Sequence, residues 1–263
     1  MEFLYGLGFL VLFGFSAIGG VWLRVHLTER HLSKDDLEAV RLVTGLLVTF
    51  AALILSLQLS TERSAFDAAN KDRLLYAAHL TRFDQCLRNL GPDMEPARLL
   101  LRQYTAAVIA STWPEEPKPF VEGMPDASRM AVRGEDRGLT ALMNKIGIAI
   151  DTVTWPDATR MNIAVRCRSD FGGVQQNRWS VIEDTNSPNS GIFVAIISFW
   201  LALVFVSFGL QVPRRPVPSI VLALGVISVA SVMFVILDLG RPYGGVFGIT
   251  STAMREALSD MSR

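Results

Sequence analysis

The chain has 263 residues, half of them hydrophobic, with 25 basic and 25 acidic side chains. Its mean hydropathy is +0.34. A net charge of zero offers no broad basic surface for nucleic acid, and so apolar a composition points to a chain that meets lipid as well as water.

Residues 3–23 contain no Asp, Glu, Lys, Arg or His. At ~1.5 Å per residue such a helix reaches ~30 Å, the thickness of a hydrocarbon core. A removable signal peptide needs a basic start and a shorter apolar run. Here no Lys or Arg precedes Arg24 and Glu2 stands in the basic position, so a retained helix is predicted. Gly6, Gly8, Gly14, Gly19 and Gly20 suit close helix packing, while Phe3, Phe9, Phe13, Phe15 and Trp22 supply aromatic bulk. The loop that follows carries Arg24, Arg30 and Lys34, with Arg41 opening the next span. His26 and His31 are off a common helical face, so no metal site is expected there. Ser33 can cap the second helix, and Asp35 and Asp36 in its first turn complement the helix dipole. The second span is 42–59.

Residues 60–189 form a polar middle region with 16 basic and 17 acidic residues, a net of −1. The apolar residues Phe66, Leu74, Leu75, Ala78, Leu80, Phe83 and Leu87 follow a helical face, so the second span should continue as a helix until Gly91-Pro92. A second helix is expected over 96–111, stopped by Trp113-Pro114 because a residue before proline is pushed out of the α region. Pro114, Pro117, Pro119 and Pro125 mark an irregular stretch. Further helices are expected over 138–151 and from Pro156 to 181, the last with a candidate break at Gly172-Gly173. Four such helices could form an antiparallel bundle. The acid pairs Glu115-Glu116 and Glu135-Asp136 read as helix starts or solvated turns. Cys86 and Cys167 either close a long loop as a disulfide or sit as separately buried thiols.

The third and fourth spans are 192–210 and 217–237, again without an ionisable residue. Ser198, Ser207, Ser228 and Ser231, with Phe9 and Phe13, are candidates for a pore lining or for helix packing; the aromatics of the first and third spans read first as lipid-facing and interfacial residues and second as a hydrophobic constriction. The segment Leu237-Asp238-Leu239-Gly240-Arg241-Pro242-Tyr243-Gly244-Gly245 leaves the fourth span as a tight turn, and a short helix is expected over 253–258. Asp238 and Arg241 could pair there and lock the tail to the bundle; a vestibule or ligand contact is the second reading. The domain plan is therefore 1–59, 60–189, 190–238 and 239–263, in an all-α membrane protein with a 2+2 arrangement of spans.

Four spans put both termini and the middle region on one side. The short loops carry Arg24, Arg30, Lys34, Arg214 and Arg215, so the positive-inside rule sets them in the cytoplasm and the middle region outside, in the periplasm of a bacterial inner membrane. No phosphate loop, nucleophile motif or zinc spacing is present, so neither an enzyme nor a cofactor is expected. Proton-coupled transport is disfavoured for want of ionisable groups at membrane depth.

The L-D-x-x-R-P-Y-G-G turn followed by I-T-S-T-A-M-R-E-A-L, the Asp35-Asp36-Leu37-Glu38 start of the second helix, and Trp113-Pro114 after a helix together resemble the bacterial bestrophin-like membrane proteins. The resemblance covers the chain in order and implies two spans, a helical middle and two more spans. It implies a distant relation to bestrophins, which are pentameric anion channels. This chain would then be one subunit of a homo-oligomeric pore for chloride or similar small ions. Bestrophins keep the region between the second and third spans in the cytosol, whereas the loop charges here favour the other side. The alternative function is a membrane-anchored sensor or scaffold whose helical domain binds a ligand or partner protein.

Overall fold

A computed structural model describes residues 2–27, 34–127, 130, 135–155, 157–186, 191–213 and 215–263. Among these the regular elements are all helical: α1 (Glu2–His26), α2 (Lys34–Leu90), α3 (Glu95–Thr112), α4 (Arg137–Thr152), α5 (Ala158–Asn186), α6 (Gly191–Gln211), α7 (Pro216–Leu239) and α8 (Thr252–Met261). Helices α1, α2, α6 and α7 are long and apolar enough to cross a membrane. Arg30, His31, Ser33, Pro156 and Arg214 lie outside the described residues, as do the side chains of Phe3, Lys34, Asp35 and Asp36.

The second span and the helix after it are one element of 57 residues. No Gly or Pro interrupts 46–90, and Gly91, at φ 103, ends the run in a conformation that only glycine adopts freely. The break considered at Gly172-Gly173 does not occur, and α5 is continuous. Gly173 is there for room: a Cβ on it would lie 2.8 Å from the His79 ring of α2. The terminal helix starts near the expected residue but runs on to Met261.

The chain divides into two compact units, the first comprising Met1–Phe66, Pro188–Arg241 and Gly245–Phe247. In it α1 crosses α6 at a pair of glycines. A Cβ on Gly20 would come 2.9 Å from the Gly209 Cα, and one on Gly209 would come 2.8 Å from the Gly20 Cα. Both values are shorter than van der Waals contact allows, so the backbones touch directly, as small residues permit in lipid. Phe13 is fully buried beside this crossing, its ring 5.4 Å from that of Phe205, with Leu201, Val226, Ala230 and Met233 around it. Gln211 donates to the Thr44 hydroxyl at 3.0 Å, and Thr44 donates to the Val40 carbonyl at 2.6 Å. These two polar side chains are thereby paired rather than left bare.

The second unit comprises Asp67–Ser187, Pro242–Gly244 and Gly248–Arg263. Its core follows the helical period: Leu80, Phe83, Leu87 and Leu90 from α2, Leu101 and Tyr104 from α3, Met143, Ile146 and Ile150 from α4, and Met254, Leu258 and Met261 from α8. Asp136 caps α4 by accepting from the Gly138 and Leu139 N–H groups at 2.7 and 3.1 Å. Cys86 and Cys167 join α2 to α5 in a disulfide across a sequence separation of 81.

Replacing Gly209 by Leu forces a side chain into the α1–α6 crossing and should cost about 1–3 kcal/mol or more. Thermal unfolding in detergent should show a clearly lowered Tm, whereas Gly8→Leu, where a Cβ meets nothing within 4 Å, should leave it near wild type.

Candidate functional site

The C-terminal turn begins in the first unit. Asp238, in the last turn of α7, is 4% exposed, and its carboxylate accepts from the Val246 and Phe247 N–H groups, both at 2.9 Å. A carboxylate holding two backbone donors folds residues 245–247 back onto the helix end. Gly245 makes the return feasible, because its φ is 90 and a Cβ there would collide with the Asp238 carboxylate, 2.8 Å from Cγ. The Arg241 guanidinium lies 4.7 Å above the centre of the Tyr5 ring. Asp238 thus serves as the clasp of the turn, and Arg241 as its link to the start of α1.

A second set of contacts holds the tail within the second unit. Trp113 Nε1 donates to the Ile249 carbonyl at 2.6 Å, and its ring meets Tyr243 edge-on at 5.9 Å. Arg73 donates to the Thr250 carbonyl at 2.6 Å. Glu116 accepts from the Ser251 N–H at 3.1 Å, from the Ser251 hydroxyl, and from Arg255 Nε at 3.2 Å. Burial pushes the Glu116 carboxyl upward, but the bonds from Ser251 and Arg255 outweigh it and hold it below the usual carboxylate range. Glu116 is therefore not a solvated turn residue; it receives the start of α8. Pro114 follows Trp113 in the exposed turn beyond α3.

Behind Tyr243 lies an acidic group that sequence reasoning did not single out. Asp184 of α5 has a carboxyl pushed up to about 6, first by burial and then by the charges of Asp72 and Glu183. Its Oδ2 is buried without a hydrogen-bond partner. Burial together with the Asp184 charge also pushes the Tyr243 hydroxyl above its ordinary value, with Arg73 opposing. The signal was weak in sequence because Asp72 and Asp184 are far apart and each resembles an ordinary solvated acid.

The serine and phenylalanine candidates fall in different surroundings. Phe13 is in the core of its own unit, and Phe9 stacks on it at 6.1 Å. Ser198 is buried with its hydroxyl unpartnered. Ser207 is half-buried, and Ser228 and Ser231 are exposed. Phe9 and Phe13 thus share the core of the first unit, whereas the four serines differ in exposure. Among the described residues no group of three or more His, Cys, Asp or Glu is placed to hold a metal ion.

A family model described as the bestrophin-like domain matches residues 10–254. Crystal structures of a bacterial bestrophin homologue from Klebsiella pneumoniae, each carrying a single mutation, have a similar fold. One aligns with a TM-score of 0.69 at 12% identity over 100% of this chain and 99% of that one. A second gives 0.68 at 14% identity over 99% and 98%, and a third 0.66 at 12% over 95% and 98%. At these identities the likeness is one of fold. No curated protein matches the chain.

Because ionising Asp184 costs the folded state, its contribution to stability is most favourable below the unfolded value near 3.8 and worsens as pH rises through about 6. Asp184→Asn should therefore raise Tm at pH 7.5 and have little effect at pH 4. Partial exposure screens the charge, so the gain is about 1 kcal/mol. A Tm difference independent of pH would show that the charge is not the cause.

Proposed function

This chain belongs to the bestrophin-like family and is an integral membrane protein, and from that premise we propose that it is one subunit of a homo-oligomeric channel for small anions. The observation that carries the proposal is the state of α2 in its membrane half. Between 42 and 59 only Thr44 and Ala51 are buried within the chain, while Leu42, Leu53 and Leu57 are 73%, 63% and 70% exposed. Gly45, Thr49, Ala52 and Ser56 fall at i, i+4, i+7 and i+11, so they share one face of that helix, and all four are exposed. A span so little used by its own subunit is free to meet copies of itself, and a face of small and hydroxylated residues suits both close packing and a wet path. Cyclic symmetry would gather one such face from each subunit around an axis, and five subunits is the number we propose. Phe13 packs in its own subunit's core, so α2 takes the role first considered for the phenylalanines of α1. Without an ionisable residue at span depth, conduction would be passive rather than coupled to protons.

We propose further that the middle region is periplasmic. Supporting this are the basic short loops and the Cys86–Cys167 disulfide, a bond that persists in oxidising compartments. A sensor or scaffold reading is the competitor, since the second unit has a core of its own.

Purified protein should run as a ring of about five subunits in native mass spectrometry and carry chloride out of preloaded liposomes. A monomer or dimer without flux would sink the channel reading and favour the sensor. In intact cells stripped of their outer membrane, an impermeant thiol reagent should label a Phe120→Cys variant, whose side chain is 93% exposed in the middle region, without permeabilisation. Labelling that needs permeabilisation would place the domain in the cytosol.

A further inference from the structure

Helices α2 and α5 run antiparallel, and three contacts along one seam in the second unit set their register. These are the Cys86–Cys167 disulfide, the Arg82–Asp170 ion pair at 2.9 Å, and the close fit of the His79 ring to Gly173. From pair to pair each helix advances by three or four residues, one turn. Asp72 is seven residues from His79 on α2, and Asp184 is eleven from Gly173 on α5, so both fall on the faces that form the seam. The register brings Asp184 level with the turn Ala69–Asp72 of α2. Its Oδ2 is buried without a hydrogen-bond partner, and the charges that act on it, those of Asp72 and Glu183, are both negative.

That same turn of α2 holds the C-terminal tail. The Tyr243 hydroxyl donates to the Ala69 carbonyl at 3.4 Å, and Arg73 donates to the Thr250 carbonyl at 2.6 Å and to the Asn70 side chain at 2.9 Å. We propose that Asp184 is a proton-sensitive catch for the tail: neutral, it lets the end of the seam close on residues 243–250, and ionised, it repels Asp72 and loosens them. A neutral carboxyl brings an O–H donor and no charge, whereas the carboxylate adds a third negative charge beside Asp72 and Glu183. Arg73, buried at 7% exposure, is the cation of this turn, and its donors are already given to Thr250 and Asn70. Turning it toward an ionised Asp184 would release Thr250, so either response to the charge frees the tail. Tyr243, the other titratable group here, is pushed upward by burial and stays a neutral phenol while Asp184 titrates. The catch does not depend on whether the spans conduct.

The test is hydrogen–deuterium exchange of the detergent-purified full chain, read by mass spectrometry at pH 5 and pH 7.5 as protection factors, which removes the intrinsic pH dependence of exchange. With the Asp184 carboxyl at about 6 in the closed form and near 3.8 once released, opening is favoured as pH rises. The Ile249 N–H is bonded to the Pro242 carbonyl and the Ser251 N–H to Glu116, which is held below the usual carboxylate range and stays ionised at both pH values. Residues 243–251 should therefore lose about tenfold in protection between pH 5 and pH 7.5. Asp184→Asn should hold protection constant, and Asp72→Asn should shrink the loss without removing it, because burial is the larger cause. Wild-type protection that does not change with pH, an Asp184→Asn variant that keeps the loss, or a loss that Asp72→Asn leaves at full size would overturn the catch. A loss shared equally by α3 and α4 would mark a change in global stability and overturn it as well.

Discussion

In hydrocarbon, apolar side chains gain nothing by leaving their surroundings for one another, so spans are held by direct contact between backbones and by pairing of the few polar groups. Gly20 and Gly209 supply that contact where α1 meets α6. The rest of the first unit depends on it. Phe13 of α1 and Phe205 of α6 meet across the same pair of helices, their ring centroids 5.4 Å apart, and Gly6 lets the Phe234 ring of α7 come close to α1, since a Cβ there would sit 3.2 Å from it. Thr44 and Gln211 are bonded to each other, and Gln211 also donates to the Ser207 carbonyl; an amide left unpaired in an apolar setting costs several kcal/mol, on the order of 2–7.

The second unit obeys the rules of water instead. Its helices bury Leu, Ile, Met and Phe at three- and four-residue spacing, where removal from water yields roughly 25 cal/mol per Å² of apolar area. The most deeply buried carboxylate described there is paired. Asp84, 1% exposed, is held by Arg98 at 2.9 Å and by Arg88 at 3.1 Å, and Arg98 also donates to the Met261 carbonyl at 3.1 Å, tying the end of α8 to α2 and α3. Removing one partner of such a pair would leave a buried charge uncompensated, which costs about 3–5 kcal/mol. Asp184 departs from this pattern, an acid whose buried oxygen lacks a donor.

The turn after α7 joins these two kinds of chemistry in one short stretch of chain. Residues 238–241 and 245–247 belong to the first unit, and 242–244 and 248–263 to the second. Its sequence looked distinctive for a physical reason. Gly245 is needed where φ is positive beside a carboxylate, and Asp238 is needed to hold two backbone donors at once. Tyr243 is needed as the ring against Trp113. The pairing of Asp238 with backbone amides was not legible, because a carboxylate three residues from an arginine suggests an ion pair first.

What the sequence determined by itself was the number and length of the apolar helices, the continuation of the second span to Leu90, and the stops at Gly91 and Trp113. Those follow from local rules: hydrophobic period, the steric restriction on the residue before proline, and the freedom of glycine. The family was legible too, through the turn around Asp238 and Tyr243. Only tertiary structure decided which of the many glycines are contact points, that Phe13 faces inward, that Glu116 receives α8, and that the charge of Asp72 is felt by Asp184. These depend on residues brought together from separations of more than a hundred positions. No local pattern encodes that distance, because each side chain obeys its helix's period equally well whichever neighbour it meets.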